Sequence, residues 1–377
     1  MPRWLAAFIF VILTACAQSP STVIVTLPPP RVATVLPTAT LTPALTPTVF
    51  PATESPTLTP SPSATIEPSP APSREVTLMA VGDLMLARTI GEQILAQGPQ
   101  FVFAGVQSTF DSADLLVGNL ECAISDRGQP ETGKAYTFAA PPTAADALAG
   151  AGFDVLSLAN NHAFDFGPEA LADTQQLLDE RGITHVGAGA DETAAHRPIF
   201  VERNGLRLAF LAYVNVLVED GGFDTRRWTA TADSPGVAWA NADRIRSDAA
   251  AARAEADVVI VLLHSGYEGR LEPSSNQRQE AYAAIEGGAA LVLGAHPHVL
   301  QPVEHYQNGL IVYSLGNFVF DDFGFPANYT AIFSATLTPD GVREFNWIPA
   351  IVEAGVPRPA TPDEASRVLA LLGVGVY

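Results

Sequence analysis

Five short apolar runs in this chain each deliver a residue able to hold a metal ion. Val76 to Gly82 leads to Asp83; Leu115 to Asn119 leads through Leu120 to Glu121; Val155 to Ala159 leads to Asn160, Asn161 and His162. Val258 to Leu263 ends in His264, and Leu291 to Ala295 ends in His296 and His298. Ligands in α/β sheets gather outside the carboxyl ends of the strands, so five such ends predict one shared site. In an extended backbone His296 and His298, two positions apart, point to the same side and reach that site together. Oxygen and nitrogen donors without a thiolate suit a divalent ion such as Mn, Fe or Zn and argue against a structural zinc. One ion fits, and two would use the donors better. A pair of cations polarises a phosphoryl oxygen and lowers the pKa of a bridging water toward 7, which is hydrolytic chemistry.

The elements that must position these residues alternate between strand and helix. Strands are expected at 76–81, 115–119, 155–159, 184–186, 258–263 and 291–294, with helices at 86–97, 143–151, 168–181, 240–255 and 275–286 between them. Hairpins follow from Asn204-Gly205 between 199–203 and 206–213, from Asn308-Gly309 between 303–306 and 310–314, and from Asp340-Gly341 between 331–337 and 342–349. A Gly-rich insertion occupies 215–238. Parallel βα units combined with antiparallel hairpins predict an α/β fold, a two-sheet sandwich with helices outside.

Three segments are expected. Residues 1–16 read as an export signal, with Arg3 ahead of the apolar stretch Trp4 to Leu13. Leu13-Thr-Ala-Cys16 reads as a lipobox in which Cys16 is lipidated and becomes the new amino terminus. Residues 17–73 hold fourteen of the 31 prolines among Thr, Ser, Ala and Val, a composition that cannot bury a core and predicts a disordered stalk. Residues 74–377 form the folded domain and carry the whole formal charge of -20, because the four charged side chains before them cancel. So acidic a domain excludes nucleic acid as a partner, and a polyanionic substrate would have to be drawn in by cations. Cys122 has no partner once Cys16 is lipidated, which leaves it as a small buried apolar residue.

The motifs Val81-Gly-Asp83, Gly118-Asn-Leu-Glu121, Ala159-Asn-Asn-His162 with Asp165, His264-Ser-Gly-Tyr-Glu268, Gly294-Ala-His-Pro-His298 and Ser314-Leu-Gly-Asn-Phe318 occur in that order. Together they resemble the bacterial capsule-synthesis CapA domain, named for poly-γ-glutamate capsule synthesis, over about residues 76–350. That family is similar in fold to the calcineurin-like metallophosphoesterases. The resemblance implies that Asp83, Glu121, Asn161, His264, His296 and His298 bind metal, with Glu121 touching both ions. It further implies that His162 donates a proton to the leaving group, with Asp165 either fixing its tautomer or only forming the turn. Asn119 is expected to orient Glu121, Glu268 to stand behind the ligands, and Asn317 to wall the pocket; the match to Asn-His favours Asn161 over Asn160. Two departures stand out. Leu84-Met85 replaces the x-His that follows the first Asp, and Ser265 and Gly269 replace flanking aromatics.

Two function classes follow. One is a metal-dependent phosphoesterase-like hydrolase anchored by lipid on the extracytoplasmic face. The other is a non-catalytic accessory protein that binds, exports or anchors an anionic polymer such as poly-γ-glutamate. Expected partners are a phosphoester or anionic polymer, the membrane, and other capsule-synthesis membrane proteins. A serine hydrolase would need a Gly-x-Ser-x-Gly elbow, and none occurs. The Gly-rich dinucleotide fingerprint is missing after the first strand.

Overall fold

A computed structural model describes residues 74–219 and 221–373; the signal, lipobox and stalk expected in 1–73 lie outside the described residues. The strands of the two main sheets, in chain order, are β1 (Val76–Leu84), β2 (Leu115–Leu120), β3 (Val155–Ser157), β4 (Thr184–Val186), β5 (Ile199–Arg203), β6 (Leu206–Asn215) and β7 (Val258–Ser265). They continue with β8 (Leu291–Ala295), β9 (Val303–Tyr306), β10 (Gly309–Val312), β11 (Asn317–Val319), β12 (Tyr329–Thr338), β13 (Gly341–Glu353) and β14 (Val356–Pro359). The longer helices are α1 (Arg88–Gln97), α2 (Ala144–Ala151), α3 (Gly167–Asp179), α4 (Ala242–Arg253), α5 (Ser275–Glu286) and α6 (Pro362–Leu371).

One sheet runs β14-β13-β12-β1-β2-β3-β4, with β11 also paired to β1; the other runs β9-β10-β8-β7-β6-β5. The expected two-sheet α/β sandwich of calcineurin-like type is the architecture observed. Alternation along β7 shows how it is layered. Val258, Ile260 and Leu262 join the core shared by both sheets, whereas Val259, Val261 and Leu263 pack with Ile245 and Ala249 of α4 and Ala281 and Ala284 of α5. Such a strand is apolar on both faces because both are covered.

Parallel registry sets the ends of the central strands level. Asp83 pairs with Asn119 across β1 and β2, and His264 with Ala295 across β7 and β8. Gly82 is required at this point: a Cβ there would lie 1.8 Å from the Gly316 carbonyl oxygen, and the Asp83 amide donates to that oxygen at 2.9 Å.

β1 and β7 run further than their apolar stretches, so Asp83 and His264 lie within them rather than beyond them, whereas β3 ends at Ser157, short of the expected residue 159. Unexpected among the main-sheet strands and the longer helices are β11, β14 and α6. A capping box between Thr361 and Glu364, with Pro362 opening the helix, starts α6. Among the described residues no helix is long and apolar enough to cross a membrane.

Candidate metal centre

Asp83, Glu121, His264 and His296 are buried where the ends of the two sheets meet, and His298 is nearly so. Single ligand atoms of Glu121, His264 and His296 converge within 4.8 Å of one another, and so do those of Asp83, Glu121 and His298. Glu121 belongs to both triads. Its Oε1 lies 3.7 Å from Nε2 of His264 and 3.7 Å from Nε2 of His298.

The imidazoles converge by a different route from the one the strand pattern suggested. His296 has φ +92° and His298 φ +56°, so the backbone leaves the extended form directly after β8. L-residues with bulky side chains adopt positive φ only when the surroundings impose it, and such strain concentrates at functional sites. Asp83 is part of what imposes it. Its Oδ2 accepts from the His296 amide at 3.3 Å and lies 3.1 Å from His298 Nδ1.

The amides divide the remaining work. Asn160 donates to Asn119 Oδ1 at 3.1 Å and to the Leu120 carbonyl at 2.8 Å, and accepts from the His162 amide at 3.0 Å. That consumes it internally, whereas Asn161 Oδ1 points into the centre, 2.6 Å from His264 Nε2. Three expectations change. Asn119 does not orient Glu121; it donates to Asp83 Oδ1 at 2.8 Å and lies 3.1 Å from His264 Nδ1. Asn317, expected to wall the pocket, holds His298, with Oδ1 2.9 Å from Nδ1, while its side-chain amide donates to the Ala327 carbonyl at 3.2 Å. Glu268, expected behind the ligands, is exposed, and its carboxylate converges with His296 and His298 as a third donor set. Leu84 and Met85 are core residues, so the position of the missing x-His is filled with apolar packing.

His162 stacks on Phe138 at 4.1 Å and its Nδ1 lies 2.7 Å from Asp165 Oδ2. Asp165 therefore reaches the ring as well as forming the turn. Two participants were invisible in the sequence. Lys134, its side chain fully buried, donates to Asp165 Oδ1 and to the Asn161 main-chain oxygen, and lies 3.1 Å from Glu219 Oε1. Glu219, from the Gly-rich insertion, accepts from Asn161 Nδ2 at 2.6 Å. The only sequence hint of either was a charged residue inside a glycine-containing loop.

Electrostatics follow from burial. Desolvation, then the Asp83 charge, holds the Glu121 carboxyl well above its ordinary value. Burial and the neighbouring His298 push His296 down to about 3, and burial depresses His264 and His162 well below the usual imidazole value. Burial also pushes His298 down, but its bond to Asp83 and that charge carry it above normal. Asp165 is raised to about 7 by burial, against the pull of Lys134. Among the described residues no N–H or hydroxyl donor reaches either Glu121 oxygen, whose carboxyl lies against that of Asp83, and His296 Nδ1 is buried without a hydrogen-bond partner. A buried carboxylate that no donor reaches is costly in a folded chain, and a cation held between it and the imidazoles removes that cost. The donor set therefore fits a divalent metal. Beside His296 opens a cleft of about 780 Å³ bordered by Glu219, Tyr267, Glu268 and Arg270.

A two-sheet α/β sandwich with histidine, carboxylate and amide donors meeting at facing strand ends places the molecule in the calcineurin-like metallophosphoesterase class of folds. Within that class the sequence is specific: the family model of the bacterial capsule synthesis protein PGA_cap matches residues 77–322, and the chain belongs to that family. It is 31% identical over 296 residues to the capsule biosynthesis protein CapA of Bacillus anthracis, covering 77% of this chain and 70% of that one. To the PGA biosynthesis protein CapA of Bacillus subtilis (strain 168) it is 30% identical, covering 76% and 74%. A probable polyglutamine synthesis accessory protein of Mycobacterium tuberculosis is 32% identical over 56% of each chain.

Proposed function

We propose that this chain is a metal-dependent, phosphoesterase-like hydrolase, lipid-anchored through Cys16 on the extracytoplasmic face, that acts in making a capsule or poly-γ-glutamate polymer. The observation that carries the reading is Glu121, buried and unpartnered yet shared by two converging donor sets. Glu121, His264 and His296 with Asn161 would hold one ion, and Asp83, Glu121 and His298 the second, of Mn, Fe or Zn type. Bound cations would polarise a phosphoryl oxygen and lower the pKa of water. The protein's own part is proton handling and access. His162, oriented through Nδ1 by Asp165, keeps its other nitrogen for proton transfer at the leaving group. The cleft beside His296 admits a phosphoester or a segment of anionic polymer. Membrane proteins of capsule synthesis are the partners this location implies.

The name of the mycobacterial relative favours a second reading, an accessory protein that uses the same ions to bind, export or anchor the polymer. The two readings separate on the full-length protein, loaded with Mn or Zn and assayed with a chromogenic phosphodiester and for polymer binding. A hydrolase with His298→Ala loses metal and turnover together, whereas His162→Ala keeps its metal and loses turnover by about 10²–10⁴-fold. If His162→Ala strips the metal as thoroughly as His298→Ala does, the proton-transfer role is wrong. Metal-loaded wild type that turns over no phosphoester but binds polymer moves the assignment to the accessory reading.

A further inference from the structure

The geometry points to Lys134 and Glu219 as a buried positioning pair that fixes which atom of the Asn161 amide faces the metal site. This rests on the metal-binding reading above and names residues that reading does not use.

An ammonium has three donors and no acceptor. Those of Lys134 face three oxygens, the Asn161 main-chain carbonyl, Asp165 Oδ1 and Glu219 Oε1, and its Nζ also lies 3.2 Å from His162 Nδ1. The indole of Trp228 lies 4.4 Å away and covers part of the remaining surface. Saturated in this way, Lys134 offsets two buried carboxylates that would otherwise repel each other, and it holds Glu219 against the site. Glu219 sits in a closed turn, its own amide donating to the Phe223 carbonyl at 3.1 Å and its carbonyl accepting from the Gly222 amide at 2.9 Å.

Glu219 Oε1 also accepts from Asn161 Nδ2. A carboxylate can only accept, so the nitrogen of the amide must face Glu219 and its oxygen must face the centre. Only the oxygen can serve as a ligand, because an amide nitrogen has no lone pair to give. A charge on the Gly-rich insertion thus decides whether a strand-end amide presents a donor or an acceptor to a cation. Residues behind a ligand that fix its orientation are worth about 10–100-fold in metal affinity.

The test uses the full-length chain, with Mn2+ titrated calorimetrically into chelator-treated protein. Glu219→Gln should weaken Mn2+ about 10–100-fold, and NMR of the metal-free protein should show the Asn161 side-chain amide protons losing their protection from exchange. A purely structural ion pair predicts neither. Asn161→Asp gives a background with no amide to orient and with a carboxylate facing Glu219. There Glu219→Gln should restore Mn2+ affinity instead of weakening it, and this comparison still decides if the single Glu219→Gln chain does not fold. Wild-type affinity in Glu219→Gln, or loss of affinity of equal size in both backgrounds, overturns the proposal. If wild type binds neither Mn2+ nor Zn2+, the proposed function fails separately, and the Asn161 amide spectrum decides the pair: unchanged protection in Glu219→Gln overturns it.

Discussion

Replacing Glu121 with Gln should stabilise the metal-free protein and destabilise the metal-loaded one. Glu121 is fully buried, and neither carboxylate oxygen has a hydrogen-bond partner among the described residues. Leaving a buried polar group unpaired costs about 1–3 kcal/mol, and more when it is charged. Gln keeps the shape and removes the charge. In chelator, a gain of about 1–3 kcal/mol corresponds to a rise of about 2–6 °C in Tm for a domain of this size. The sign with pH follows from the raised carboxyl. Because the folded state holds this proton after the unfolded chain has released it, metal-free wild type loses stability as pH rises above the ordinary carboxylate range. Gln does not titrate, so the gap between the two proteins widens with pH by at most about 1.4 kcal/mol per unit.

Metal reverses the order. A ligand at a hundred times its Kd adds about 2.7 kcal/mol to a protein that binds it only when folded. Wild type should take that gain, and Glu121→Gln, having lost the donor common to both triads, should take little of it. Thermal melts of both proteins at pH 6, 7 and 8, with chelator and with Mn2+, read the crossing directly. A Glu121→Gln protein that melts below wild type in chelator, or that gains as much from Mn2+ as wild type does, refutes the assignment of Glu121 as a shared ligand.

Two further outcomes bear on the frame and on the leader. Gly82→Ala places a methyl 1.8 Å from the Gly316 carbonyl oxygen, which the backbone cannot absorb without parting β1 from the loop before β11; a loss of about 3 kcal/mol or more is expected by denaturant melt, and near-wild-type stability would contradict the close approach. Cys16→Ser should move the protein from the membrane to the soluble fraction or block its maturation, and unchanged fractionation and migration would remove the lipid anchor.

The strand ends were legible because a buried strand between covered faces must be apolar throughout, and a polar residue ending such a run is conspicuous. This is why β1, β2, β7 and β8 and the polar residues that end them could be read from residue types alone. The turn that aims His296 and His298 could not, since nothing in Ala-His-Pro-His announces positive φ without glycine. Residue types alone do not separate Asn160 from Asn161, because adjacent amides differ only in what the fold places beside each; only the resemblance to the Asn-His motif favoured Asn161. β11 has three residues, too few to establish a period. Lys134 and Glu219 lie in irregular segments far apart in sequence, where a charged residue reads as solvated surface until tertiary packing buries it.

The division of donors between the sheets gives the centre a role in the architecture. Asp83, Glu121 and Asn161 come from the ends of strands in one sheet, and His264, His296 and His298 from the other. Apolar side chains join the sheets through most of the sandwich, but at the strand ends that core gives way to polar groups. Direct bonds already cross there, from Asn161 to His264 and from Asp83 to the His296 amide. They do not satisfy Glu121, which lies on the seam between the sheets with both oxygens unpaired. A cation bound by Glu121 together with His264 and His296 would therefore satisfy a buried group that the direct bonds between the sheets leave unpaired, and would couple metal binding to the packing of the sandwich.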